Sequence, residues 1–489
     1  MAQPDFDIII VGAGISGITA AYRISTELPR STYTVLEARQ TLGGTWDLFR
    51  YPGVRSDSDM YTFGLPWYPW RKREAFGQGQ EIAEYLQAAA RAAGIDRHIR
   101  YGRRVVSAVW SSGQQLWKIR LERRDVAELA VSLSARFVVF ATGYFDYSRA
   151  LETTIPGLDD FRGTVVHPQF WPADLDYTGK RVVVIGSGAT AVTLVPALAR
   201  RASRVFMVQR SPSYVFSKPA VDTSEMVCHD LLPGSLASRV LRWRSIVLQA
   251  AVYQWCRACP DAARKWLKDK TANQLPSHIP YSPHFEPDYN PWQQRLCVAP
   301  DGDFYAALRS GKATVVTDNI QTMTPRDVLF HSGRGIPGVD IIVTATGLKV
   351  QLIGNTVLIV DGQPLYIKDK FLWNGVMMQD VPNAAFLMGS THSSWTLKVD
   401  ASMQLFCRVL KATLRRHAAA VTPRIRDGPI QTVPLLNLSS TYLRVSADEL
   451  PRAGDRGPWR PESHFLVSVL KAWYGDLNEG LEWSLHPYP

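Results

Sequence analysis

Residues 5–17 read Asp-Phe-Asp-Ile-Ile-Ile-Val-Gly-Ala-Gly-Ile-Ser-Gly, an apolar run that ends in a glycine loop, and this stretch decides the fold. Asp5 to Val11 has the continuous apolar character of a buried parallel strand, and Ile18 to Leu28 reads as the helix that follows. Each glycine has a physical task. Gly12 permits a tight turn, Gly14 lets backbone approach a pyrophosphate, and Gly17 allows the helix to pack closely on the strand. The helix N-terminus favours the anion. Tyr33 to Leu36 is the second strand, and Glu37 falls twenty residues after Gly17, where an acid accepts hydrogen bonds from a ribose 2′-hydroxyl. Strand, loop, helix, strand and acid in this order specify a site for FAD or NAD. Glu37 disfavours a 2′-phosphate, and with it NADP.

A second unit of the same kind begins at Arg181. The strand Arg181 to Ile185 feeds Gly186-Ser187-Gly188-Ala189-Thr190-Ala191, with Ala191 in the third position. Val192 to Arg200 is the helix and Arg204 to Val208 the next strand. Here the acid is missing, and the chain reads Gln209-Arg210-Ser211. A neutral residue, a guanidinium clamp (Arg210) and a hydroxyl donor (Ser211) suit a 2′-phosphate, so this site is expected to prefer NADPH. Two further runs, Phe137 to Tyr144 and Ile341 to Leu348, both close in Ala-Thr-Gly. Paired glycine loops and paired strand ends form an internal repeat that resembles the two-dinucleotide flavoproteins. The expected fold is α/β, with two Rossmann-like domains, for FAD and NADP, the NADP domain inserted into the FAD domain. The boundaries expected are 1–160 for the first part of the FAD domain, 161–175 for a linker, and 176–338 for the NADP domain. A helical insertion occupies about 222–285, and 339–489 completes the FAD domain and its tail.

Bulk properties agree with this. A chain of 489 residues exceeds one small core, and 46% apolar with 20% charged content is that of a globular protein. The net charge of +11 suits a phosphate-rich cofactor; Lys and Arg are scattered, so a nucleic-acid partner is not expected. Five widely spaced cysteines argue for a reducing compartment and against a disulfide framework. No leader precedes the first strand and no apolar run reaches transmembrane length, so a soluble, cytoplasmic protein is expected. Ser235 to Lys270 is basic, helical in pattern and rich in Trp and Leu. A solvated insertion explains it, and weak contact with a membrane surface is the alternative. No metal site is expected. Gly43 to Asp57 reads as a loop, and Met60 to Trp70 as an aromatic-rich stretch of core or of tunnel wall. Strands are expected at Arg104 to Trp110, Leu116 to Leu121 and Ala127 to Leu133, and helices at Glu81 to Ala93 and Met403 to His417.

Between the two glycine loops lies Phe161-Arg-Gly-Thr-Val-Val-His-Pro-Gln-Phe-Trp-Pro172. With two prolines, a glycine and rigid aromatics it reads as a connector without sustained strand or helix period. The spacing of Phe161, Gly163, His167 and Trp171 resembles the fingerprint of Baeyer–Villiger monooxygenases. Gly44, Trp46, Tyr51, Pro52, Gly53 and Asp57 resemble a second motif of that family. Tyr289 to Cys297, with its Pro-Trp-x-Gln-Arg-x-Cys core, is similar to the ethionamide-activating branch.

The resemblance implies FAD and NADPH as cofactors, and a small lipophilic substrate and O2 as reactants. It assigns Trp46 and Asp57 to the FAD pocket, puts Arg55 near NADP and makes Arg295 the catalytic arginine, held by Asp57. It adds Ser16, Thr45, Tyr61, Val105 and Gln294 to the cofactor-contacting set, beside the loop residues Ala189 and Thr190, and gives His167 and Trp171 a gating role. Ser393 to Lys398 resembles a segment near flavin and substrate. The implied reaction inserts one oxygen atom into a ketone through a flavin peroxide, giving an ester or lactone. S- or N-oxygenation or hydroxylation by the same peroxide is the alternative; Trp171 favours the ketone, because related N/S-oxidising enzymes usually lack it. A flavin disulfide reductase using Cys256 and Cys259 is a remoter alternative, since that pair sits in the irregular insertion.

Overall fold

The computed structural model describes residues 3–123, 131–390, 393–426, 428–436, 440–461 and 465–485. Two sheets organise it. In the first, five strands run parallel in the order Ile99–Arg100, Tyr33–Leu36, Phe6–Val11, Val131–Phe140, Ala384–Phe386. The second is parallel throughout, in the order Ala313–Thr317, Arg204–Gln209, Arg181–Ile185, Ile341–Thr344, Thr164–Val166. Both are α/β layers with helices packed on them, the architecture that paired glycine loops imply.

Strand periodicity explains how each sheet is buried on both faces. Ile8 and Ile10 pack with Ile18, Ile24, Leu86 and Phe406, while Ile9 and Val11 point the other way, towards Trp110, Trp117 and Phe386. In the second sheet Val182 and Val184 join Leu194 and Tyr305, whereas Val183 and Ile185 join Phe206 and Phe330. Ile8, Ile9 and Ile10 are at most 1% exposed, and each such side chain contributes on the order of 2 kcal/mol.

The strand Val131–Phe140 is a branch point. Its first half pairs antiparallel with Leu116–Arg123, from Leu121↔Val131 to Trp117↔Ala135. Its second half pairs parallel with Ala384–Phe386, from Ala384↔Val138 to Phe386↔Phe140. Along its other edge runs the first strand. The expected strands Ala127 to Leu133 and Phe137 to Tyr144 are corrected here: residues 131–140 form one strand. Residues 124–130, where the earlier one was expected to start, lie outside the described residues. The polar stretch Ser132, Ser134 and Arg136 breaks the apolar pattern, although the backbone pairing continues through it.

Other elements differ in extent. The helices after the glycine loops start at Ile15 and Ala189, three residues before the apolar period shows. The late helix spans Trp395–Arg415 and so takes in Trp395 to Lys398 of the segment Ser393 to Lys398, with Ser394 as its N-cap. The insertion is broken into Thr223–Leu231, Gly234–Ala258 and Pro260–Ala272, with Pro260 opening the last of these. The connector is not devoid of strand: Thr164–Val166 is the edge strand of the second sheet, paired with Ile341–Val343. Three β-branched residues suffice there, a run too short to show a period. Of the Met60 to Trp70 stretch, Met60, Phe63, Leu65 and Trp70 are core, and Phe63 also lines a cavity.

Candidate active site

The two glycine loops share one geometry. Gly12 has φ +102°, and a Cβ there would lie 2.7 Å from the Ala141 carbonyl oxygen; Gly186 has φ +137° and stands 2.3 Å from that of Ala345 on the same construction. Each first glycine therefore passes against the alanine of an Ala-Thr-Gly strand end, which accounts for the repeat. At Gly17 a Cβ would overlap the Gly12 carbonyl oxygen at 1.9 Å. The middle glycines differ. Nothing lies closer than 3.6 Å to a Cβ at Gly14, and nothing within 4 Å at Gly188. Protein packing demands no glycine at either position; a phosphate group brought against the backbone does. Both helices start without a side-chain cap or an acid in the first turn, leaving their N–H groups for an anion.

The first loop opens into a cavity of about 530 Å³. Of the residues expected at the site, Gly12, Gly14, Ser16, Glu37, Thr45, Trp46, Asp57, Val105 and Arg295 line it. Glu37 accepts from the Ala13 N–H at 2.7 Å and the Arg39 N–H at 2.9 Å, which ties the loop to the second strand. Burial raises its pKa, against the pull of those two bonds. These residues bring together open backbone at Gly14, an uncapped helix N-terminus and the Glu37 carboxylate at the end of the second strand.

Arg295 stands in the wall of the same cavity. Its Nη1 lies 3.8 Å from Asp57 Oδ2 and its Nη2 donates to the Ser390 carbonyl at 3.3 Å. Burial opposes the guanidinium's charge, but Asp57 above all, then Tyr144 and Tyr442, outweigh it and raise its pKa. Arg295 is thus a fixed cation inside the cleft. The Tyr144 ring stacks on Trp395 at 4.8 Å, and Trp395 Nε1 donates to Ser16 Oγ at 2.9 Å, so loop, aromatic wall and arginine form one constellation. Burial keeps the Tyr144 hydroxyl, bonded to Tyr442, strongly raised in pKa and neutral. Burial, with Asp57 in the same direction and Arg295 against it, pushes the Cys297 thiol up to about 12, so it stays protonated.

Some expected residues lie elsewhere. Tyr61 is buried among Ala75, Phe76 and Leu241, with its hydroxyl towards the Arg73 carbonyl, and does not line the cavity. Arg55 makes a two-point pair with Asp303, which opens the helix Asp303–Arg309 beside the second sheet. At the second loop, the Thr190 hydroxyl meets buried Tyr51, whose pKa burial pushes up to about 12. Gln209 is packed, its amide donating to the His284 carbonyl (2.7 Å) and Thr317 (2.9 Å), whereas Arg210 and Ser211 are exposed. Gln294 is half-buried next to Arg295. Neither Cys256, buried, nor Cys259, exposed, lines the cavity.

In the connector, Phe161 enters the second sheet's core, and a Cβ at Gly163 would fall 2.4 Å from the Asp340 carbonyl oxygen. Trp171 packs edge-on to Tyr177 at 6.3 Å. His167 Nδ1 accepts from the Gln169 N–H (3.2 Å), so its proton sits on Nε2, which donates to the Gly347 carbonyl at 3.2 Å. Burial lowers its pKa, partly countered by the bond to Gly347. Protonation would set two donors face to face at Nδ1. Stability tied to neutral His167 is present above pH ~6.5 and lost as pH falls towards the lower folded-state pKa. The melting temperature should therefore fall between pH 7 and 5 with a component that the His167→Gln variant lacks; identical slopes would dismiss the linkage.

Residues that sequence reading missed include Arg39, which lines the cavity beside Glu37 and pairs with Asp47, and the Tyr144–Tyr442 pair. Arg39 is within two residues of a recognised acid and could have been found from it. Tyr442 stands in a stretch with no motif.

Residues 6–355 match the model of the FMO-like family, described as flavin-binding monooxygenase-like. The chain belongs to the flavin-binding monooxygenase-like family. As a member it is a flavin-dependent oxygenating enzyme. It is 41% identical over 485 residues to the FAD-containing monooxygenase EthA of Mycobacterium tuberculosis, covering 99% of this chain and 98% of that one. It is 43% identical over 465 residues to MymA of the same organism, covering 94% and 93%. Its fold matches a steroid monooxygenase bound to NADP, with a TM-score of 0.76, 22% identity and coverage of 98% and 99%. It also matches the cyclohexanone monooxygenase of Rhodococcus sp. Phi1 bound to NADP+, with a TM-score of 0.73, 19% identity and coverage of 99% and 100%.

Proposed function

We propose that this family member is an FAD-containing, NADPH-consuming enzyme that inserts one oxygen atom of O2 into a lipophilic ketone, giving an ester or lactone. The observation that carries this is the charged guanidinium of Arg295, held beside Asp57 inside the dinucleotide cavity. Bound at the two glycine loops, the nicotinamide would supply hydride and the flavin would activate oxygen. The chain's own residues then act by placement. Gly14 and the uncapped N-terminus of Ile15–Glu27 receive the diphosphate, and Glu37 faces the ribose. Arg295 sits where oxygen addition to a carbonyl builds negative charge, which a fixed cation in a partly dry cleft stabilises far better than water does. Asp57 and the Ser390 carbonyl orient it. The fingerprint through Trp171 supports the ketone reading, as do the names of the structural neighbours, a cyclohexanone and a steroid monooxygenase.

The purified protein is expected to be yellow, and to be bleached by NADPH much faster than by NADH under anaerobic conditions. Mass spectrometry of products from a panel of ketones and thioethers then decides the substrate class. Esters support the proposal; sulfoxides alone would replace it with S-oxygenation.

The 2′-phosphate reading is tested at Arg210, which is exposed and donates to Thr441 Oγ1 at 3.4 Å. Arg210→Ala removes a charge-assisted contact of about 1.5–3 kcal/mol, so KM for NADPH should rise roughly 10–100-fold with little change for NADH. Equal changes for both nucleotides would move the 2′-phosphate elsewhere.

A further inference from the structure

The helix Gly234–Ala258 has two faces of opposite character. Inward, Leu241, Ile246 and Tyr253 are buried, and Arg242 donates to the carbonyls of Tyr61 (2.9 Å) and Gly64 (2.8 Å). Gln249 reaches Asp59 and, at 3.3 Å, Thr62. These contacts clamp residues 59–64, directly after Asp57 and Ser58 in the cavity wall. Outward, Leu236, Val240, Trp243 and Val247 recur at steps of four, three and four residues, a single stripe on a helix. They are 43–59% exposed, and Leu231, the last residue of the preceding helix, is 75% exposed. Solvent alone does not account for such a continuous apolar stripe.

Charge narrows what covers it. The helix Gly234–Ala258 contains no Asp or Glu. Arg239 and Arg244 border the stripe on its two sides, the latter 3.8 Å from Asp222. The next helix, Pro260–Ala272, exposes Lys265, Lys268 and Lys270 beside Asp261 and Asp269, and its exposed Trp266 meets exposed Trp255 edge-on at 6.0 Å. In a two-fold pair of copies the same face meets itself, which would bring arginines against arginines with no acid on the helix to answer them. A bilayer surface with anionic headgroups answers both features. Arginine stems can lie along apolar surface with their heads among phosphates, tryptophans favour the interface, and an apolar stripe sinks to the acyl boundary. Among the described residues no helix is long and apolar enough to cross a membrane, so the helix would lie flat.

We propose that the outer face of Gly234–Ala258 is a docking surface for anionic lipid bilayers, which sets the wall of the catalytic cavity one helix away from the membrane. The test uses the purified flavin-loaded enzyme with vesicles of pure phosphatidylcholine and of phosphatidylcholine mixed with phosphatidylglycerol. The wild type should co-sediment with the mixed vesicles far more than with the neutral ones, and less at high salt. The double variant Trp243→Ser, Val247→Ser should lose roughly tenfold or more in partitioning, because each removed side chain is exposed apolar surface. Its NADPH-driven flavin reduction should be unchanged, showing an intact fold. Absence of wild-type binding to either vesicle, or equal binding by the variant, overturns the proposal. So does the remaining outcome, in which vesicles are ignored and the double substitution converts an oligomer to a monomer in light scattering. That result would make the stripe a contact between copies.

Discussion

Arg295→Ala is expected to retain NADPH-driven bleaching of the flavin near the wild-type rate while oxygenated product falls roughly 10²–10³-fold. The separation follows from where the side chain stands. Arg295 lines the cavity with Asp57, Tyr144 and Trp395, whereas Arg210, read as the NADPH contact, is exposed and does not line it. Hydride delivery does not need it; stabilising charge that develops on the substrate oxygen does. NADPH should still be consumed, with O2 leaving as hydrogen peroxide instead of entering product. Asp57→Asn should act in the same direction but more weakly, because the Ser390 carbonyl at 3.3 Å still holds the guanidinium. Stopped-flow absorbance and product quantification together check this. Product formation within a few-fold of wild type would exclude Arg295 from the oxygenation step.

The second large effect contrasts two glycines three residues apart. A methyl at Gly17 would collide with the Gly12 carbonyl oxygen at 1.9 Å, so Gly17→Ala must drive helix from strand, at a cost of about 3–5 kcal/mol. The variant should express poorly or melt far below the wild type. At Gly14, φ is −75° and the nearest atom 3.6 Å away, so Gly14→Ala should leave the apoprotein within about 1 kcal/mol of normal. Its methyl occupies the face offered to a diphosphate, and FAD affinity should fall 100-fold or more, on the order of 3 kcal/mol. Thermal unfolding of stripped protein, paired with flavin content after reconstitution, reads the two effects separately. A Gly14→Ala protein that fills with FAD normally would take the loop out of cofactor binding.

The parallel strands and glycine loops were legible because their signals are local: an unbroken apolar run, a turn that only glycine permits, a helix beginning at once. That the strand Arg204–Gln209 ends without an acid was legible by contrast with Glu37. What stayed hidden is mostly non-local. Thr164–Val166 is a strand because Ile341–Val343 lies beside it, and nothing in its own composition says so. Val131–Phe140 read as two pieces because each half serves a different partner. The Arg295 segment has no period, and its role came from family resemblance; its place beside Asp57 depends on chain segments more than two hundred residues apart. Tyr442 and Arg39 join the cavity's charge balance through tertiary contacts alone.

The branched strand also bears on the order in which the chain can be finished. Translation delivers Val131–Phe140 with its meander partner and the first strand already present, but Ala384–Phe386 emerges only after some 240 further residues. Until then the edge beside Phe140 offers unpaired backbone to any neighbour, while the second parallel sheet can close in the meantime. A nascent chain arrested between Thr344 and Ala384 would carry a completed nucleotide sheet beside a half-built one, and that interval is where a ribosome-bound chaperone would have most to protect.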